Sequence, residues 1–108
     1  MIRVTIFKDS HSYKGYRFEG HAEFSDYGTD IICAAASVLA INTVNSIEQF
    51  TDDKIKAEMD ENTGMLEVVF VNEVSDESKL LIASLILGVK TIIEDYGEKY
   101  IQLSFKEV

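Results

Sequence analysis

Along this chain the hydrophobic period switches from two residues to that of a helix and back, twice, and so alternating a signal leaves few folds open. Residues 2–8 set Ile2, Val4 and Ile6 against Arg3, Thr5 and Phe7, and residues 14–21 set Tyr16, Phe18 and Gly20 against Arg17, Glu19 and His21. These predict two strands joined by a turn at 9–13. Residues 22–29 have no sustained period, carry Gly28 and lead to Thr29 and Asp30, two good N-cap residues. A helix is expected over 31–50, with Cys33, Ala36, Ala40, Val44 and Ile47 on one stripe. Its first half is apolar nearly all round, which predicts deep burial there.

The second half of the chain repeats the scheme. Residues 54–60 alternate Ile55, Ala57 and Met59 with charged residues, 61–64 is turn chemistry, and 65–71 is a β-branched apolar run, together a hairpin whose second strand is expected to be central. Ser75 can cap a helix over 76–96, apolar at Leu80, Leu81, Ser84, Leu85, Gly88, Ile92 and Tyr96, with Gly97 as a left-handed terminator. Ile101, Leu103 and Phe105 mark a last strand. The order ββαββαβ predicts an α+β fold of two layers, one mixed sheet of about five strands with two helices on one face.

Composition narrows the class. One domain over 1–108 is long enough to bury a core without disulfides, and 46% hydrophobic residues with no proline do not match disorder. A single cysteine forms no internal disulfide, and no basic, apolar leader opens the chain, so a reducing cytoplasm is expected. The apolar stretches 31–41 and 80–89 are each about half the roughly twenty residues a membrane span needs. With a net charge of −9 and scattered Lys and Arg, direct nucleic-acid binding is not expected, whereas a basic protein partner is favoured.

Chemistry concentrates between residues 20 and 37. With Asp30 as N-cap, Cys33 falls at the third helical position, where unpaired amides and the helix dipole favour a thiolate. His21 ends the second strand, just after Gly20, and the loop that follows delivers the chain to Cys33, so an imidazole can meet a thiol there. An inert buried thiol and an exposed strand histidine beside Glu19 fit the same positions. Asp30 reads as cap or as orienter of His21, and Ser37, one turn beyond Cys33, as a partner near the sulfur or a hydroxyl bonded back to the Cys33 carbonyl. Phe24 and Tyr27 either line an apolar groove or anchor the loop. A zinc site would have to join His21, Cys33, Asp26 and perhaps His11, without any tight ligand pair, so neither metal nor cofactor is expected.

Gly20-His21-Ala22, a short loop with Gly28, then Asp30-Ile31-Ile32-Cys33-Ala34-Ala35 and Ser37-x-Leu39 resemble the bacterial ribosomal-processing cysteine protease family. As in that family, eleven residues separate a histidine that follows glycine from a cysteine that opens a helix. Ile32, where many relatives carry valine, is a conservative departure. The resemblance implies a Cys33–His21 endopeptidase that removes a short N-terminal extension from a large-subunit ribosomal protein, number twenty-seven of its series, in Firmicutes and related bacteria. It further implies cleavage after paired phenylalanines and before alanine, and a homodimer formed through the helices. Two other classes stand beside it: a non-enzymatic ribosome-associated binding or assembly module, and a thiol-transfer protein, which lacks a second cysteine.

Overall fold

Two hairpins, two helices and a closing strand make up residues 1–21 and 29–108, the part that this computed structural model describes, the side chains of residues 29 and 30 excepted. The elements are β1 (Ile2–Lys8), β2 (Tyr13–Glu19), α1 (Thr29–Phe50), β3 (Ile55–Asp60), β4 (Met65–Phe70), α2 (Asp76–Tyr96) and β5 (Ile101–Glu107). The strands form one sheet in the order β3-β4-β2-β1-β5, antiparallel throughout except for the parallel pair β1–β5. The expected mixed, five-stranded, two-layer α+β fold is therefore present. β4 is an interior strand, and the centre of the sheet is β2.

Register shows why one face is covered. Val4 lies opposite Phe18, Ile6 opposite Tyr16, Tyr16 opposite Val68 and Ile2 opposite Ile101, so the buried side chains of four strands share one face. Arg3, Thr5, Arg17 and Glu67 alternate onto the other, where Arg17 pairs with Glu19 at 2.7 Å and Glu67 at 3.4 Å. Both helices pack on the apolar face, and α1 is pinned there from below. The Tyr16 hydroxyl, fully buried, donates to the Ala40 carbonyl at 2.7 Å, and burial of the phenol pushes its pKa up. Its ring also stands edge-on to Phe18, 5.9 Å away. The β1–β2 turn is held by Asp9, whose Oδ1 accepts from the amides of His11 and Ser12, both at 2.8 Å.

Two expectations about which helix faces are buried need correction. The first half of α1 is not deeply buried: Ile32, Ala36 and Ala40 face the sheet, but Ile31 and Val38 are 57% and 66% exposed. A helix apolar on all sides can bury only the stripe that meets the sheet. The most apolar stretch of α1 is 31–41, as the sequence shows, while 31–50 as a whole has a mean hydropathy of 1.5 and is by length and composition alone enough to cross a bilayer, a test that the core helix of a soluble protein also passes. In α2 the buried stripe is Ser78, Ile82, Leu85, Ile86, Val89 and Ile92, while Leu80, Ser84 and Tyr96 are exposed. This helix is apolar on two faces, and the sequence does not say which meets the sheet.

The start of α2 follows the local rule, and its end departs from it. The Ser75 hydroxyl accepts from the Ser78 amide at 3.2 Å, as an N-cap should. Gly97 ends the helix with its amide on the Ile93 carbonyl at 2.7 Å, at φ +89 and ψ 170, so its φ is positive but its conformation is extended and not that of a left-handed cap. Midway, a Cβ at Gly88 would lie 2.8 Å from a methyl of Leu39, so this glycine lets α2 approach α1 closely.

Candidate active site

β2 and α1 belong to different layers, and the cleft where their ends meet holds both His21 and Cys33. It has a volume of about 250 Å³ and is walled by Ile2 and Phe18 from the sheet, Ala36, Ala40 and Ile41 from α1, and Met59, Met65 and Leu66 from the β3–β4 hairpin. Its polar side chains are His21, Cys33, Ser37 and Glu61. The lining is thus an apolar trough with an imidazole, a thiol, a hydroxyl and one carboxylate set into it, suited to an uncharged chain segment.

His21 is delivered by a tightly constrained strand end. Gly20 has φ +88, and a Cβ there would lie 2.2 Å from the Met1 carbonyl oxygen, so no side chain fits. Its amide donates to the Thr63 carbonyl at 3.0 Å, and the amino nitrogen of Met1 donates to the His21 carbonyl at 2.6 Å. Backbone on both sides therefore fixes where the imidazole starts, while the ring itself is exposed.

Cys33 is half-buried on α1 and is not in a disulfide. The helix begins at Thr29, two residues before the expected start, so Cys33 is its fifth residue and not its third. Thr29 and Asp30, read as caps, are both taken into the first turn, a shift typical of helix ends. The consequence for chemistry is small. Side chains on a helix lean toward its N-terminus, so the sulfur is carried back toward the amides of the first turn, which have no intrahelical partner. Ser37, one turn on, is exposed and lines the same cleft.

Of the other predicted positions, Phe24, Asp26, Tyr27 and Gly28 and the side chain of Asp30 lie outside the described residues. His11 sits in the β1–β2 turn, at the opposite end of β2 from His21. Among the described residues, no three His, Cys, Asp or Glu side chains converge as metal ligands would. Sequence reasoning missed the contribution of the second hairpin. Met59 is 60% and Ile41 43% exposed, an unusual state for large apolar residues beside a core, and Glu61 and Gly64 complete that wall. The only hint in the sequence was Met59, the last apolar residue in the alternation of Ile55, Ala57 and Met59 that leads into the turn.

Comparisons with known proteins identify the family. The family model described as "Cysteine protease Prp" matches residues 1–102. The ribosomal processing cysteine protease Prp of Staphylococcus aureus strain Mu50 is 34% identical over 107 residues, covering 98% of this chain and 100% of that protein. The Bacillus subtilis strain 168 protein of the same name is 29% identical over 104 residues, covering 91% and 92%. Two crystal structures of the S. aureus protease cover 98% of this chain and 100% of their own. One, with a covalently linked product peptide, has TM-score 0.86 at 33% identity, and one, with a substrate peptide, has TM-score 0.88 at 30% identity. With a strand-end histidine and a helix cysteine in one apolar cleft and a family match over nearly its whole length, this chain belongs to the Prp family of ribosomal-processing cysteine proteases.

Proposed function

We propose that residues 1–108 act as one protease domain in which Cys33 is the nucleophile and His21 its base, and that the substrate is the N-terminal extension of the large-subunit ribosomal protein numbered twenty-seven, met in the cytoplasm. The observation that carries this reading is that β2 and α1 bring these two side chains into one cleft. Cys33 thiolate adds to the scissile carbonyl. The C–N bond then breaks as the His21 imidazolium gives its proton to the leaving amine, leaving a thioester. Water, deprotonated by His21, hydrolyses the thioester and frees the thiol. In this reading the unpaired first-turn amides of α1 hold the developing oxyanion, and Ser37, which lines the same cleft as Cys33, is a hydroxyl available to the reacting groups.

Ile41, Met59 and Met65 give the trough an apolar wall that suits phenylalanine side chains before the cut. The chain's net charge of −9 favours encounter with a basic ribosomal protein. An S. aureus relative held with a substrate peptide and with a covalently linked product peptide is consistent with covalent catalysis on a peptide here. The test is cleavage of a synthetic peptide spanning the extension. Wild type is expected to cut it and folded Cys33→Ala to leave it intact. No cutting by wild type, or full activity without Cys33, would sink the mechanism and favour a binding module.

The same reading includes a homodimer through the helical layer. Ile31 and Val38 on α1 and Leu80 and Leu87 on α2 are each two helical turns apart and 57%, 66%, 71% and 67% exposed, two apolar rows facing away from the sheet. A second copy would cover them. Light scattering should give a dimer mass for wild type and a monomer mass for Val38→Glu/Leu87→Glu; a monomeric wild type at micromolar concentration would refute the dimer.

A further inference from the structure

We propose that Gly64, in the β3–β4 turn, is a positioning residue for His21: its bare backbone forms the wall against which the imidazole is set, and any side chain there would turn the ring away from Cys33. This inference rests on the reading of His21 as the base of Cys33. Gly64 has φ +68, and a Cβ built on it would lie 2.8 Å from His21 Cε1, 3.2 Å from His21 Nδ1 and 2.7 Å from the Gly20 carbonyl oxygen. Ordinary contacts of a Cβ begin at 3.4 Å, so the ring would have to move by about 0.6 Å or more.

The wall is itself fixed. The Asn62 amide donates to Asp60 Oδ1 at 2.9 Å, the Thr63 hydroxyl to the Asp60 carbonyl at 3.4 Å, and the Gly20 amide to the Thr63 carbonyl at 3.0 Å. One turn is thereby tied both to its own hairpin and to the strand end that carries His21. An exposed imidazole has two side-chain torsions free unless something blocks them. With its Cε1–Nδ1 edge lying against Gly64, the ring has its orientation set by exclusion. A side-chain orienter would act by attraction, and the two can work together. Gly64 touches neither substrate nor sulfur in this role; it acts through His21.

The experiment uses the extension peptide and the full chain, comparing wild type with Gly64→Ala, Gly64→Asn and Gly97→Ala. Asparagine tolerates positive φ, so Gly64→Asn relieves the conformational strain of Gly64→Ala while both add a Cβ that meets the Gly20 carbonyl oxygen as well as the ring. Gly97, at φ +89 with no atom within 4 Å of its would-be Cβ, reports backbone strain alone. Both Gly64 variants are expected to lose about 10- to 100-fold in kcat with KM changed less than about threefold, and to shift the His21 Cε1–H resonance. Gly97→Ala should lose thermal stability and keep kcat. A folded Gly64 variant with kcat within about twofold of wild type, or an unmoved imidazole resonance, would overturn the proposal. Failure of both Gly64 variants to fold would overturn it too, since Gly64 would then serve the fold. Wild type that does not cleave, or that still cleaves as Cys33→Ala, would sink the catalytic reading itself; wild type that cleaves alongside unimpaired Gly64 variants would sink only the positioning.

Discussion

Removing Cys33 and His21 together is expected to cost little more than removing Cys33 alone. Each alanine variant should lose about a thousandfold or more in kcat/KM on the extension peptide, on the order of 4 kcal/mol of transition-state stabilisation. If the imidazole acts only by activating the thiol and protonating the amine that the thioester step releases, it has nothing to act on once the sulfur is gone. The losses in the double-mutant cycle then fail to add, and Cys33→Ala/His21→Ala stays within about tenfold of Cys33→Ala. Additive losses would mean that His21 binds the peptide independently, and the dyad would have to be abandoned. The comparison is informative because His21 is exposed and its main-chain anchors, Met1 to its carbonyl and Gly20 to Thr63, survive truncation of the ring. Both proteins should therefore fold, and thermal melts decide whether they do.

Much of this fold was legible because local signals and tertiary packing agree. Ile2, Val4 and Ile6 alternate because one sheet face is covered, Ser75 caps α2 as its residue type demands, and the ββαββαβ order leaves little choice of architecture. Where a helix is apolar on more than one face the rule loses its grip. Val38 and Leu80 look like core by composition and are exposed, because periodicity reports that a face is apolar without saying what will cover it. The same ambiguity left two faces open on α2, where Leu85 and Ile92 are buried but Leu80 and Tyr96 are not, and it overstated the burial of α1.

The candidate site divides along the same line. Gly20, His21, Cys33 and Ser37 are close in sequence, and a strand running into a loop and a helix start was enough to bring them together. Gly64, Met59, Met65 and Glu61 come from a hairpin some forty residues further along the chain. Only the sheet order, which sets β4 beside β2, carries the β3–β4 turn to the His21 end of β2. Strand order rests on long-range pairing, for which a period-two pattern holds no record. Gly64 was readable as a turn glycine; that it also had to be bare on the side facing an imidazole was not.

Asp53→Ala is expected to be among the most destabilising single changes outside the apolar core. This carboxylate, between α1 and β3, reaches the start of α2: Oδ2 accepts from the Ser75 hydroxyl at 2.6 Å and amide at 3.1 Å, and from the Ser78 hydroxyl. Ser78 is fully buried, so truncating Asp53 strands a buried donor in addition to weakening the cap, together roughly 2–4 kcal/mol. Adding Ser78→Ala to Asp53→Ala should recover part of that loss, because the stranded hydroxyl goes with it. Partial burial raises the Asp53 pKa, but the hydrogen bonds from Ser75 and Ser78 outweigh it and leave the net value below the ordinary 3.8. A lowered folded-state pKa contributes stability that is fully present above the unfolded value and is lost as pH falls through the folded one. Denaturant melts should therefore show wild type losing its advantage over Asp53→Asn as pH drops from about 5 to below 3.8. Parallel curves for the two proteins across that window would show that the carboxylate is not what ties α1 and β3 to the head of α2.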